Sequence, residues 1–421
     1  MNLKKKYSTK LSSVIYMASQ ITSMGFAFLV NVLMTNYSSS DVVYGQYKYT
    51  INFILTIQAL FSFGISWSCA ALIARNDEKN KKGIITASVA YTTMIGVIIT
   101  AVLYVIAEIS SILDLDTIQN VVIVFPFVAF FLLQKLINQI YMGMGESFKL
   151  SVYSSAPNLI VFLGLQIGIL CFKKINYTFA ILLYLFSYVI VVLPKIIFLK
   201  YDVSDFKESS RILLHDVKTS GFKVHLSSIF TTSSTQIIAL VCGNIYGYAE
   251  YGYYSLAASL ATIFQFIGSS VAVVNFKQYT NTERIAKKDF IFMLGIGCVA
   301  YVIMFVLIDI AFFWFYPNSY ESTILYLKLL CLSNLIYGFS TLFNRFFIGK
   351  GLGGRVMKNS FITAVATIGI YIPMIYLFGM RGMAVAAIIV SLICLGTYMF
   401  DYRKYRYELG KGGQKTNENI L

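Results

Sequence analysis

Polar and apolar positions in this chain fall into long blocks. Apolar runs of about 20 residues recur from end to end, separated by short polar stretches. Such runs are too long and too continuous for barrel strands, so each predicts a helix whose backbone groups are satisfied within the segment. Twelve spans are predicted, at about 11–34, 48–74, 84–107, 120–142, 150–172, 177–199, 222–244, 253–276, 289–315, 323–348, 359–379 and 382–400. The expected fold class is an all-α integral membrane protein with 12 transmembrane helices.

Two short signals repeat at nearly constant separation. Tyr44-Gly45-Gln46-Tyr47 returns 207 residues later as Tyr251-Gly252-Tyr253-Tyr254, and Tyr141-Met142-Gly143-Met144-Gly145 returns 206 residues later as Phe347-Ile348-Gly349-Lys350-Gly351. Agreement to within one residue implies a duplicated unit of six spans. Six is even, so the two copies enter the membrane in the same direction and form parallel repeats about an axis along the membrane normal. The expected lobes are 1–205 and 206–421, with a hydrophilic connector at about 201–221 that reads as a short amphipathic surface helix. The Gly-x-Gly segments fall in tight turns, where glycine permits a sharp reversal and positive φ.

Composition supports the membrane reading, with 57% hydrophobic and 13% charged residues and a mean hydropathy of +0.71. The six cysteines, Cys69, Cys171, Cys242, Cys298, Cys331 and Cys394, all lie in apolar runs without Cys-x-x-Cys spacing. They are expected to be small buried hydrophobes, not a disulfide framework or a metal site. The net charge of +15 could suggest a nucleic-acid partner, but its placement argues otherwise. With the N-terminus in the cytoplasm, 29 Lys/Arg residues fall on or near the cytoplasmic side and five, Lys48, Lys173, Lys174, Lys328 and Arg381, on the other. That split predicts cytoplasmic N and C termini and no nucleic-acid partner. The basic start Met1 to Lys6 resembles a signal peptide, but the run that follows is too long and lacks a small-x-small cleavage site, so span 1 is expected to be retained. Tyr402-Arg403-Lys404-Tyr405-Arg406-Tyr407, in the basic C-terminal tail, reads as an interfacial anchor.

The paired Tyr-Gly signals, the Gly-x-Gly turns and the six-plus-six layout resemble the Wzx-type polysaccharide (O-antigen or capsule repeat-unit) flippases of the multidrug/oligosaccharidyl-lipid/polysaccharide exporter (MOP) superfamily. The resemblance covers the whole chain in layout. It implies a V-shaped, MATE-like pair of six-helix bundles around a central cavity in the bacterial inner membrane. It also implies transport of an undecaprenyl-diphosphate-linked oligosaccharide from the cytoplasmic to the periplasmic face. The implied partners are the polyprenyl-diphosphate-linked glycan, membrane lipid, and a polymerase with other glycan-assembly proteins.

A cation near the bilayer centre costs about 2.5–3.5 kcal/mol, which makes every intramembrane charge a candidate functional residue. Lys48, Lys135, Lys328 and Arg345 lie within spans, and Asp309 is the clear acid, near the outer end of its span. Span 8 carries Ser255, Ser259, Thr262 and Ser269 on one helical face; shifted back by 207, the first two fall on Lys48 and Asn52. A shift of 206 pairs Asn138 with Asn344 and Gln139 with Arg345, extending a polar patch with Gln134 and Lys135 in span 4, so that Lys135 and Arg345 are expected on opposite walls of one aqueous lumen. The candidate substrate-binding residues are therefore Lys48, Asn52, Lys135, Asn138, Asn344, Arg345 and Gln20. Cations would hold a diphosphate and amides would bond sugar hydroxyls; the alternative for each is a helix–helix hydrogen bond or a snorkelling cation. Span 1 carries a polar stripe of Ser12, Tyr16, Gln20, Ser23 and Asn31, and span 7 one of His225, Ser228, Thr232, Thr235 and Gln236. These could line a lumen or simply pack helices. His225 could also sense protons, although a polar residue near the interface is the plainer reading.

Other classes are weighed against transport of a lipid-linked glycan. A cation-coupled small-molecule or drug exporter of the same superfamily needs buried carboxylates, and span 1 has none. A major-facilitator transporter would carry a basic Gly/Asp/Arg signature in the segment Arg75 to Gly83, where it is missing. No loop is long enough for a soluble catalytic domain, and His215 and His225 lack a Cys or acidic cluster. No enzyme, catalytic residue, metal or cofactor is expected. A scaffold or assembly protein is a further alternative.

Overall fold

The computed structural model describes residues 22–75, 78–112, 119–199, 201–230, 234–274, 279, 282–350 and 352–418. The readings made on Ser12, Tyr16, Gln20, Thr232 and Gly351 lie outside the described residues. The described elements are helical, and the β feature among them is an isolated parallel bridge between Ser38 and Ile175. Among the described residues seven helices are long and apolar enough to cross a membrane: Asn80–Ser110, Val121–Met144, Phe148–Phe172, Tyr177–Phe198, Phe290–Trp314, Ser322–Ile348 and Gly353–Leu409. The bent pair Asp41–Leu60 and Ile65–Ala74 makes an eighth when counted as one span.

The chain divides into two compact units, Met1–Gly252 and Tyr253–Leu421. In the first unit, α1 (described over 22–37) leads into α2 (Asp41–Leu60) and α3 (Ile65–Arg75). They are followed by α4 (Glu78–Ile112), a 3-10 segment (Gln119–Phe127) and α5 (Val128–Met144). Then come α6 (Ser147–Phe172), α7 (Tyr177–Phe198), α8 (Phe206–Asp216), α9 (Phe222–Ser228) and α10 (Ser234–Tyr246). Cys69 and Ile73 of α3, Ile84 and Ile85 of α4, and Leu136 and Ile140 of α5 form a buried core, closed by Leu213 of α8. Helix α8 falls in the hydrophilic stretch where a short surface helix is expected, and it lies inside the first unit; it packs on α4 and runs through a π-helical turn, Val217–Gly221, into α9.

Apolar packing drives little association between helices already in lipid, so close approach has to come from small residues. The repeated signal shows this directly. A Cβ on Gly45 would stand 1.6 Å from the Tyr248 carbonyl oxygen, and one on Gly252 would stand 3.1 Å from the Gly45 Cα. The two Tyr-Gly sequences found by repeat analysis therefore pack against each other. Tyr49 fills the adjoining space with edge contacts to Tyr248 and Tyr251, at centroid separations of 5.3 and 5.8 Å. At the other repeated turn, Gly145 caps α5 in the left-handed conformation (φ 73°), as expected from its place in a sharp reversal.

The second unit begins within α11 (Tyr248–Val274) and continues through α12 (Lys287–Ala311), α13 (Ser322–Gly349) and α14 (Gly353–Glu418). Helix α14 contains the last two expected spans, with non-helical backbone at Gly379 between them (φ 60°, ψ −144°). Beyond the second span it stays helical through Tyr402–Tyr407. Tyr402 and Tyr405 pack on Phe346, while Arg403, Lys404 and Arg406 are exposed. Tyr402 and Tyr405 thus form a packing surface, while Tyr407 and the basic residues face outward. The cysteine expectation also needs correction: Cys69, Cys242, Cys331 and Cys394 are buried, but Cys171 and Cys298 are exposed on apolar helices. Apolar sequence marks lipid-facing and buried positions alike, so it could not separate the two groups.

Candidate functional site

Residues 48–74 read as one continuous span, but the helix is broken at Phe61–Gly64. Its two parts meet at 61°. Phe63 and Gly64 have φ of 42° and 79°, outside the helical range, and the chain re-enters a helix at Ile65. Phe61 N–H still reaches the Ile57 carbonyl oxygen, but the Gln58 and Leu60 carbonyls find their partners outside the helix.

Lys135 supplies one of those partners. Its ammonium donates to the Gln58 carbonyl oxygen at 3.0 Å and to Ser62 Oγ at 3.2 Å. The second partner is His225 of α9, whose Nε2 lies 3.1 Å from the Leu60 carbonyl oxygen and whose Nδ1 lies 3.1 Å from Ser62 Oγ. A cation and an imidazole thus close the negative end of the α2 dipole. Gln58 ties the same end to α5, its side-chain amide donating to the Phe131 carbonyl at 2.7 Å. Beside the break lies a small cavity lined by Phe61, Ser62, Ile65, Ser66, Thr92, Ile95 and Leu132. Ser66 Oγ is buried there without a hydrogen-bond partner among the described residues.

The other α2 candidates sit toward the opposite end. Lys48 lies ten residues before Gln58, about 15 Å along the helix, so Lys48 and Lys135 serve different stations of the unit. Lys48 is half-buried, with Nζ 5.6 Å from the Tyr44 ring centroid. One turn on, Asn52 donates to the Gln236 carbonyl of α10 at 3.0 Å. This polar face of α2 is turned to α10. Asn138, one turn beyond Lys135 on α5, has its Oδ1 buried without a partner among the described residues, as does Gln139 Oε1. Nearby, Tyr184 and Tyr188 share a hydroxyl contact of 3.0 Å and pack on Phe131.

The remaining described candidates belong to the second unit. Asn344 donates to the Tyr398 hydroxyl at 2.7 Å, and Arg345 beside it is exposed. Lys328 is paired with Asp309 at 2.8 Å and stands 4.7 Å above the Phe305 ring. In the polar stripe of α11, Ser259, Thr262 and Ser269 bond carbonyls of their own helix. Gln20 lies outside the described residues. The break and its partnership with His225 escaped the repeat-based reading. The local signal was Ser62-Phe63-Gly64, a breaker within an apolar run.

A family model described as polysaccharide biosynthesis protein matches residues 11–276. No curated protein matches the sequence significantly. Among solved structures, an inward-facing multidrug resistance MATE family transporter of the MOP superfamily superposes with a TM-score of 0.72 at 13% identity, covering 94% of this chain and 99% of that one. The lipid II flippase MurJ in an inward closed conformation gives 0.73 at 15% identity, covering 93% and 87%. An outward-facing MATE family transporter gives 0.67 at 16% identity, covering 95% of each chain. At these identities the likeness is one of fold.

Proposed function

Since the chain belongs to the polysaccharide biosynthesis protein family, we propose that it moves undecaprenyl-diphosphate-linked oligosaccharide repeat units across the bacterial inner membrane by alternating access. In this reading twelve spans cross the membrane and both termini are cytoplasmic. The glycan passes to the periplasmic face, where a polymerase and other assembly proteins receive it. The family match carries the proposal, and the fold shared with a lipid II flippase supports it.

The candidate site adds a chemical reason. Lys135 is held by a backbone carbonyl and a hydroxyl, both neutral. A diphosphate oxygen offers a charge-assisted bond in place of a neutral one, so Lys135 can exchange partners when an anion arrives. A charge pair at 4 Å is worth roughly 4 kcal/mol at an effective dielectric near 20, before desolvation is subtracted. Lys48 and Lys135, at separate stations of one unit, would then hold the diphosphate in succession, while the buried Asn138 amide oxygen, without a partner among the described residues, would accept from a sugar hydroxyl once the unit opens.

The test is surface glycan in a strain that depends on this protein. Lys48→Ala/Lys135→Ala should abolish display at normal membrane abundance, and Lys48→Arg/Lys135→Arg should restore a measurable part of it. Full display by the alanine double variant would overturn the site assignment. Unchanged glycan in a strain lacking the protein altogether, with raised drug sensitivity, would favour the small-molecule exporter.

A further inference from the structure

The hydrogen bonds at the α2 break have a direction that fixes the tautomer of the neutral His225 ring. Leu60 O can only accept, so the 3.1 Å contact requires a proton on Nε2. In the neutral ring Nδ1 is then bare and accepts from the Ser62 hydroxyl. That leaves the Ser62 oxygen free to accept from Lys135. The chain runs from the Lys135 ammonium to the Ser62 hydroxyl, to Nδ1, and from Nε2 to the Leu60 carbonyl, with each donor matched to an acceptor.

We infer that His225 is a proton-binding site whose occupation displaces Lys135 from the end of α2. A proton added to Nδ1 reverses the bond to Ser62: the ring becomes a donor, and the imidazolium and the ammonium both point at one hydroxyl oxygen. Their nitrogens can be no further apart than those two hydrogen bonds laid end to end. The end of α2 offers about half a unit of negative charge, enough to accommodate one cation but not two. The imidazolium keeps its bond to Leu60 O, so Lys135 is the cation that leaves, releasing the Gln58 carbonyl and loosening the break.

Among the described residues no carboxylate takes part in this exchange. From α5 comes Lys135, the charge that acts on the ring. The charged side chains of α2 are Asp41 and Lys48, both in its first half beside Tyr44, Tyr47 and Tyr49, and α3 carries the buried thiol Cys69 and, about three turns past the break, Arg75. The turn Val217–Gly221 carries Lys218, which is exposed, α8 ends in His215 and Asp216, and α9 itself holds Lys223. His225 is 1% exposed, so a proton reaches it only when the unit opens around α9. The inference concerns the proton and the helix break, and holds whichever solute is carried.

Hydrogen exchange of the full-length protein in lipid nanodiscs, corrected for the intrinsic pH dependence of exchange, tests this on peptides spanning 58–68. At about pH 5.5 the wild-type segment should exchange about tenfold faster, or more, than at about pH 7.5. His225→Gln, whose amide can donate to Leu60 and accept from Ser62, should keep the slow rate at both values. Lys135→Met, which has no second cation to expel, should lose the pH response. His215→Asn should respond like the wild type. Equal wild-type rates at the two pH values would overturn the inference, and so would an acid response that persists in His225→Gln.

Discussion

At Gly45 a single hydrogen in place of a methyl group decides whether two helices can meet. A Cβ there would overlap the Tyr248 carbonyl oxygen at 1.6 Å, and backbone cannot rotate away as a side chain does. Gly45→Ala is expected to cost about 3 kcal/mol or more, because the whole contact around Tyr49, Tyr248 and Tyr251 must open. Thermal unfolding in detergent, read against the wild type, checks this; an unchanged midpoint would mean that the contact does not form in solution. Lys135 shows the same economy in polar form. Its charge is spent on the end of a broken helix, which explains how a cation persists inside a span without a carboxylate beside it. That role was not legible from the sequence, where Lys135 stood out only as an isolated charge in an apolar run. Its acceptor is a main-chain carbonyl 77 residues away, and no residue type marks a carbonyl as unsatisfied.

Among the elements, the α2–α3 pair carries the sharpest consequence. Gly64 and Gly145 both have positive φ, 79° and 73°, so conformational strain alone makes them equivalent. Their surroundings differ. A Cβ on Gly145 meets nothing within 4 Å, while one on Gly64 would lie 2.5 Å from the Gly221 carbonyl group. Gly145→Ala should therefore cost about 1 kcal/mol, the price of the left-handed conformation alone. Gly64→Ala should cost about 3 kcal/mol or more, since the break must also part from the turn before α9. Equal shifts in the unfolding midpoint of the two variants would remove the argument for a break locked onto that turn. Other elements were readable in advance. Spans 84–107, 120–142, 150–172 and 177–199 match spanning helices closely, because an apolar run of that length has one way to satisfy its backbone in lipid. The break was not, because the one breaker signal, Ser62-Phe63-Gly64, lies in a run apolar enough on average to pass as helix, and a glycine inside such a run is also tolerated in a helix.

For the molecule as a whole, the charge distribution makes the clearest prediction. A phosphatase or fluorescent reporter fused after Leu421 should report a cytoplasmic location, as should one fused in the segment 76–82, given the 29 to 5 division of Lys and Arg. A periplasmic C-terminal reporter would reverse the assignment and with it the direction of transport proposed here. The amino-acid sequence determined, by itself, the all-helical membrane class and the family, because hydropathy over 20 residues and short repeated signals are local quantities that survive without coordinates. It also carried two short signals that recur at nearly constant separation. Only the tertiary structure decided what the repeats and charges touch: that the two Tyr-Gly signals pack on each other, that span 2 is broken, and that Lys135 and His225 meet through Ser62. Those facts depend on main-chain groups brought together from residues 60 to 225. Backbone carbonyls are identical at every position, so the need for a partner is created by the fold and cannot be read from side-chain order.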